Sequence, residues 1–472
     1  MDIKYSFYKS FAQIISKLMK LGPSGGMSYP GYLFIKIGGM DSLNTLFKDR
    51  IKEGSILVTG TNGKTTTTTM SSDLLKKDIN LVYSFENNTI NALATSVIDN
   101  KGDLGLFEYG IRDKKHGMPD LVQETINPIG VVYTNVSREH AQVAGVKNPF
   151  EEYVDAKTLL SKGMMNGVVI ANADDPIITN IGKNKQQDGR TIYYGFEMDN
   201  VEDIFEPPVV KCPKCGNTLN YSNVFLNQRG RYSCSCGFKR PEPDVKIAKF
   251  ETNKDRWQIT LDGNLYNYLT GKNIQFNVEV NVPLFGVHNL YNVLCATTVY
   301  ACFTPKPENI EKNLVEYFNG LDFSILPPGR FELVDIGDKL VGLGQGDNGD
   351  ALKVNITLMN LYSKDKGLEF IYTTPDENEE EIFEDHMSSI RSINPNHLIV
   401  VPGRVSVEKA REYYEQIKNE FDSEFYPLEF DLDKRVDALE KLIRQSDYKY
   451  VITTGCGEEQ LLWDKLKHKH QK

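Results

Sequence analysis

Ser55-Ile56-Leu57-Val58-Thr59-Gly60-Thr61-Asn62-Gly63-Lys64-Thr65 runs from a short apolar stretch into a turn bracketed by two glycines, then into four more threonines. Ser55 to Val58 predicts a buried strand, and Thr65 to Lys76 predicts the start of a helix. Between such elements the glycines let the backbone wrap closely around phosphate oxygens. The helix N-terminus offers unpaired N–H groups, Lys64 neutralises charge, and the Thr65 hydroxyl can bind Mg²⁺. The residues expected on a bound nucleotide are Gly60, Thr61, Asn62, Gly63, Lys64, Thr65 and Thr66. Val58 stands where the usual phosphate loop has a glycine, so this is the compact form Thr-Gly-Thr-Asn-Gly-Lys-Thr. Against this stands the plainer possibility that Gly-Lys-Thr merely punctuates a strand and a helix.

The 472 residues suggest two to four domains, and 40% hydrophobic with 25% charged residues is ordinary for a globular protein. A net charge of −10 argues against nucleic acid as the main partner. No apolar run reaches transmembrane length and no signal peptide is visible, so a cytoplasmic location is expected. Ile3 to Leu21 bears lysines and is loosely amphipathic; it either packs on the protein or rests on a membrane surface.

Four of the seven cysteines cluster: Cys212, Cys215, Cys234 and Cys236. Each pair adjoins a glycine, and four thiolates at this spacing close a tetrahedral site, so a structural zinc ribbon is expected. The second pair is Cys-x-Cys where the usual knuckle is Cys-x-x-Cys, and two disulfides are the alternative. Cys295 and Cys302 fall in an apolar helix and read as core.

Three further stretches follow the phosphate loop. Thr134-Asn135-Val136-Ser137-Arg138-Glu139-His140 precedes Phe150-Glu151-Glu152-Tyr153-Val154-Asp155-Ala156-Lys157; Gly286-Val287-His288-Asn289-Leu290-Tyr291-Asn292 opens an apolar helix; Gly329-Arg330-Phe331-Glu332 comes later, with an echo at Thr454-Gly455-Cys456-Gly457-Glu458. In this order the four resemble the Mur ligase family over most of the chain.

That resemblance implies a ligase that uses ATP and Mg²⁺ to turn a carboxylate into an acyl phosphate and joins it to an amine. Lys64, Glu108, His140, Lys157 and Arg330 would be the catalytic set. Thr65, Glu108 and His140 would hold Mg²⁺. Lys157 matches a position that many family members carbamylate; otherwise it is an exposed helix lysine. His288, Asn289 and Asn292 would lie at the adenine, Asn172-Ala173-Asp174-Asp175 near the nucleotide, and Arg330 at the phosphates on domain closure. The family's ribose-contacting Asp-Tyr-Ala-His-Asn-Pro is replaced by Gly344-Gln345-Gly346-Asp347-Asn348-Gly349-Asp350. There Asp347 either holds the ribose or belongs to a plain turn. The loop Gly455-Cys456-Gly457-Glu458, with Glu459, resembles the one that holds an incoming amino acid.

The expected fold is α/β. It has a short helical segment over 1–48, a central ATP-binding domain over 49–326 with the zinc ribbon inserted at about 207–243, and a Rossmann-like domain over 327–472. No room remains for the UDP-binding domain that precedes the loop in most of the family. The short N-terminus, Ser28-Tyr29-Pro30-Gly31 and the ribbon resemble the MurT branch, whose members amidate a lipid-linked precursor with a glutaminase partner. Glu139-His140 with Lys157 instead resembles the amino-acid-adding ligases, and the combination resembles the pseudomurein peptide ligases. The expected partners are a nucleotide- or lipid-linked cell-wall peptide precursor and a free amino acid. An ATP-driven switch without ligase chemistry is the alternative from another class.

Overall fold

Short all-buried strands separated by helical runs are the pattern of a parallel sheet covered on both faces, and the first half of the chain builds one. The computed structural model describes residues 3–20, 28–85, 88–136, 148–164, 166–183, 190–198, 209–226, 229–253, 256–283, 286–321, 331–346, 349–377, 379–428, 432–456 and 465. The opening strands are β1 (Ile51–Thr59), β2 (Leu81–Ser84), β3 (Gly102–Glu108), β4 (Gly130–Tyr133), β5 (Val168–Asn172) and β6 (Arg190–Phe196). A small antiparallel pair, β7 (Asn220–Phe225) and β8 (Arg229–Ser233), interrupts the series. Then follow β9 (Val245–Thr252), β10 (Arg256–Asn267) and β11 (Lys272–Pro283).

In space the order is β11-β10-β9-β6-β5-β4-β1-β3-β2. From β2 through β9 the neighbours run parallel, and β10 and β11 turn back antiparallel. The change of pairing shows in the sequence. β4 and β5 are buried throughout, whereas β10 alternates buried and half-exposed residues, as a strand with one wet face must. The alternation at Trp257-Gln258-Ile259-Thr260-Leu261 belongs to this antiparallel strand.

β1 lies between β3 and β4, so the loop after β1 emerges at the carboxyl edge beside the ends of both neighbours. That edge is where open α/β sheets bind ligands.

The second sheet comprises β12 (Glu332–Ile336), β13 (Lys339–Gln345), β14 (Leu368–Thr373), β15 (His397–Val401), β16 (Ser423–Phe425) and β17 (Tyr450–Gly455), ordered β12-β13-β17-β14-β15-β16. Only β12–β13 is antiparallel. Trp257 Nε1 donates to Tyr362 Oη at 2.8 Å, a direct contact between the two α/β units. Ahead of the first sheet lie two helices, Ile3–Met19 and Tyr29–Arg50, the latter kinked at Gly39, whose φ is +70°. No helix among the described residues is long and apolar enough to cross a membrane.

Candidate active site

Gly60 and Gly63 shape the loop after β1 for steric reasons. A Cβ on Gly60 would fall 1.9 Å from Thr134 Oγ1, and one on Gly63, whose φ is +78°, would fall 2.3 Å from Asn292 Oδ1. The loop is thus pressed between the end of β4 and the helix Val287–Phe303. Hydrogen bonds hold it there. Thr61 N donates to Asn135 O at 2.8 Å, Asn62 N to Asn135 Oδ1 at 2.8 Å, and Thr134 Oγ1 to Asn62 O at 2.6 Å. Gly63 caps the helix Lys64–Leu75 in a left-handed conformation, leaving the first-turn N–H groups directed at the loop.

A cavity of about 590 Å³ opens beside this turn. Gly60, Thr61 and Lys64 form one side, and Asn88, Gly110, Ile111, Arg112 and Tyr153 form the other. Thr65 Oγ1 donates to Glu108 Oε2 at 2.7 Å, and Asn88 Nδ2 donates to Glu108 Oε1 at 3.3 Å. Glu108 is buried at the end of β3, so its carboxylate is satisfied by side chains rather than by water. Hydroxyl, carboxylate and amide oxygens are the donors a hard divalent cation takes, and this group fits Mg²⁺. Lys64 Nζ donates to Thr61 O at 2.8 Å; burial holds its pKa below the ordinary value, with the Glu108 carboxylate opposing.

Lys157 is the least ordinary residue here. It sits on the helix Pro149–Lys162, fully buried, with Nζ donating to Gly60 O at 3.1 Å and Ile111 O at 3.3 Å and lying 4.4 Å from the Tyr153 ring centre. It is therefore no exposed helix lysine. Burial, and then the Lys64 ammonium, bring its pKa down to about 7. Tyr153, one turn earlier, shares a 3.0 Å hydrogen bond with Thr61 Oγ1.

On the far side of the loop, Thr67 Oγ1 donates to Asn292 Oδ1 at 3.2 Å, Asn292 Nδ2 to Asn289 Oδ1 at 2.7 Å, and Asn289 Nδ2 lies 3.2 Å from His288 Nε2. The three residues expected at the adenine thus form one chain running outward from the loop. Asn292 is committed to bracing it. Asn172 to Asp175 is a structural node: Arg240 Nε meets Asp174 Oδ1 at 2.7 Å, while Phe196 N and Tyr291 Oη donate to Asp174 Oδ2 at 2.9 and 3.0 Å. Asp175 caps the helix Pro176–Lys183 through Ile177 N. Thr66 lies in the first turn of the loop helix, half-buried. His140, Arg330, Asp347, Glu458 and Glu459 lie outside the described residues. Asn88 and Arg112 line the cavity without having been expected there; the Gly110-Ile111-Arg112 run just past Glu108 is a signal for Arg112.

The four clustered cysteines come together. Their sulfurs lie within 4.8 Å of one another, with Cys212–Cys236 at 3.7 Å and Cys215–Cys234 at 3.5 Å. A tetrahedral thiolate site with metal–sulfur bonds of about 2.3 Å spaces its sulfurs about 3.8 Å apart, so the donors fit a closed divalent site. Gly216 and Gly237, both at positive φ, turn the two knuckles, and Leu219, Tyr232 and Phe238 pack beside them. The short Cys-x-Cys pair is accommodated.

At the carboxyl edge of the second sheet, Gly346 N donates to Gly455 O at 2.9 Å and Cys456 N to Thr373 O at 3.1 Å. Cys456 is buried there.

The profile of the Mur ligase middle domain matches residues 58–235, from the end of strand β1 through the third clustered cysteine. Residues 58–235 are a Mur ligase middle domain. Among curated proteins, subunit MurT of lipid II isoglutaminyl synthase (glutamine-hydrolyzing) from Staphylococcus aureus is 26% identical over 293 residues, 61% of this chain and 61% of that protein. The chain thus spans about three fifths of the length of this relative. Among solved structures, a pseudomurein peptide ligase type C from Methanothermus fervidus superposes with TM-score 0.59 at 22% identity, covering 90% of this chain and 80% of that one. MurF from Acinetobacter baumannii gives 0.55 at 14%, covering 93% and 80%. Both share the Mur ligase fold, and the first has the architecture this chain resembles.

Proposed function

We propose that this Mur ligase family protein is an ATP-dependent carboxylate–amine ligase that adds an L-amino acid to a cell-wall precursor peptide of the pseudomurein kind. The observation that carries the reading is Lys157 buried against the loop carbonyl of Gly60, with a pKa brought down to about 7. A phosphate-sensing switch has no use for a deprotonatable lysine beside its loop. A ligase does: a neutral amine attacks CO₂, forms the N–C bond and sheds its proton, and the resulting carbamate places an anion where an ammonium stood.

In this reading Lys64 and the first-turn N–H groups hold the ATP phosphates, and the γ-phosphoryl passes to the acceptor carboxylate to give an acyl phosphate. Thr65 and Glu108 would hold Mg²⁺, with His140 completing a second position; the metal supplies charge neutralisation at the transferring phosphoryl group. Arg330 would reach the phosphates on closure, Asp347 the ribose, and His288 and Asn289 the adenine. The 455–459 loop would orient the incoming amine, and the closed domains would keep water from the acyl phosphate. Cys212, Cys215, Cys234 and Cys236 would hold one structural Zn²⁺ with no position left for chemistry.

A second reading is supported by the likeness to the MurT subunit: amidation of a lipid-linked precursor with ammonia from a glutaminase partner. Supplying single L-amino acids, then ammonia, with a nucleotide-linked and with a lipid-linked peptide acid and following phosphate release separates the two. Release stimulated by one amino acid without a second subunit is expected. Release with ammonia alone, and no amino acid incorporated, replaces the ligase reading with amidation.

A further inference from the structure

The helix Ile3–Met19 is fixed to the body of the protein along one face only. Tyr5, Ala12 and Ser16 are buried, Tyr5 Oη and Lys9 Nζ meet Asp49 Oδ2 at 2.8 and 2.7 Å, and Ser16 Oγ donates to Asp99 Oδ2 at 2.8 Å. The opposite face is apolar and bare. Ile3 is 86% exposed, Phe7 65%, Phe11 37%, Ile14 57% and Leu18 59%, at spacings of three and four that put them on one stripe. Single exposed apolar residues need no explanation, but five in line over a helix about 25 Å long do.

Charge says what covers the stripe. The helix carries Lys4, Lys9 and Lys17 and no carboxylate. Residues 1–50 hold seven Lys or Arg against three Asp, a net +4, while the whole chain carries −10. A second copy meeting this helix would set lysine against lysine with no carboxylate between them. A surface that is apolar just below an anionic layer matches both properties. Tyr29 and Tyr32, 48% and 42% exposed at the start of the next helix, are the residue type favoured at such a boundary.

We propose that this stripe docks the protein on the anionic face of a lipid bilayer. The placement bears on the cavity. Gly31 of the second helix lies so close to Asn91 O that an added Cβ would fall 2.0 Å away, and Gly31 N donates to Thr95 Oγ1 at 2.9 Å. Asn91 and Thr95 belong to the helix Ile90–Asp99, whose N-cap Thr89 directly follows Asn88 of the cavity wall. Resting on the ligase reading above, the docked chain would take its acceptor peptide from a lipid-linked carrier.

The test is flotation of the full chain with vesicles of phosphatidylcholine alone or with one-third phosphatidylglycerol. Binding to the anionic vesicles at least tenfold above the neutral ones is expected, falling with added salt. The variant Phe7→Ser/Ile14→Ser should lose it at unchanged melting temperature, and Lys4→Glu/Lys17→Glu should weaken it with the apolar stripe intact. ADP binding should be the same in all three proteins, so failure here leaves the ligase assignment standing. Equal flotation of wild type and both variants would overturn the proposal. So would a wild-type dimer that Phe7→Ser/Ile14→Ser dissolves in sedimentation, since the stripe would then be a contact between copies.

Discussion

The phosphate-loop cavity and the four-cysteine segment are both built on glycine turns, yet they are finished differently. In the cysteine segment each donor sulfur faces the other three, and Leu219, Tyr232 and Phe238 close the space around them. In the cavity, half-buried Lys64 and fully buried Lys157 both have depressed pKa values, and among the described residues their hydrogen bonds go to backbone carbonyls. Positive charge held this way against carbonyl oxygens costs stability unless an anion arrives. A site that only holds structure completes its own coordination; a site that performs a reaction leaves charge for the substrate to complete.

The largest effect that would sharpen this contrast is at Lys64. Lys64→Ala should lower ligation by about 10³-fold, roughly 4 kcal/mol in the transition state, with the fold intact. Phosphate release near the wild-type rate, in protein whose melting is unchanged, would remove the loop from the chemistry altogether.

Next is Lys157→Ala, expected to cost about 10²-fold in turnover, with partial recovery when a short carboxylic acid is added to stand in for the carbamate. Lys157 also has a pH signature independent of activity. Its folded pKa of about 7 lies below that of an unfolded lysine, so between these values the unfolded chain holds the extra proton and stability rises with pH. The slope is at most about 1.4 kcal/mol per pH unit, and it belongs to the uncarbamylated chain. Denaturant titrations in CO₂-free buffer from pH 7 to 9 should show the slope in wild type and its loss in Lys157→Met. An identical pH dependence in the two proteins would count against a buried neutral lysine.

The cysteine side of the comparison is probed through Arg240, which lies four residues past Cys236 and joins buried Asp174, itself bonded to Tyr291 on the helix that braces the loop. Arg240→Met leaves that carboxylate without its cation, and a loss of about 3 kcal/mol in unfolding free energy is expected. A change under about 0.5 kcal/mol would mean that the cysteine segment is not anchored through this pair.

The smallest expected effect is the most discriminating. Metal analysis of freshly purified protein should give one zinc per chain, and chelation should expose 207–243 to protease while changing ATP affinity less than about twofold. Absence of zinc would remove the structural role from the cysteines, and a large loss of ATP binding would mean that the two regions are one unit.

The sequence by itself determined the elements whose cause is local. A glycine-flanked lysine and threonine between an apolar run and a helix can only wrap a narrow range of shapes, and four cysteines on two glycine turns can meet within one hairpin. The strands β3, β15 and β17 are legible in the sequence because consecutive apolar residues fit a strand buried on both faces. What tertiary structure alone decided are the pairings across strand order. Lys157 meets Gly60 and Ile111, at separations of 97 and 46 residues, because β1 runs between β3 and β4. The same order brings Asn88 and Arg112 to the cavity wall. The bonds of Asp174 to Arg240 and Tyr291 likewise depend on β5 and β6 meeting the cysteine segment and the Val287–Phe303 helix. Burial, and with it the fall of a lysine pKa to about 7, is a property of everything packed around a side chain. No neighbourhood of a few residues contains that information.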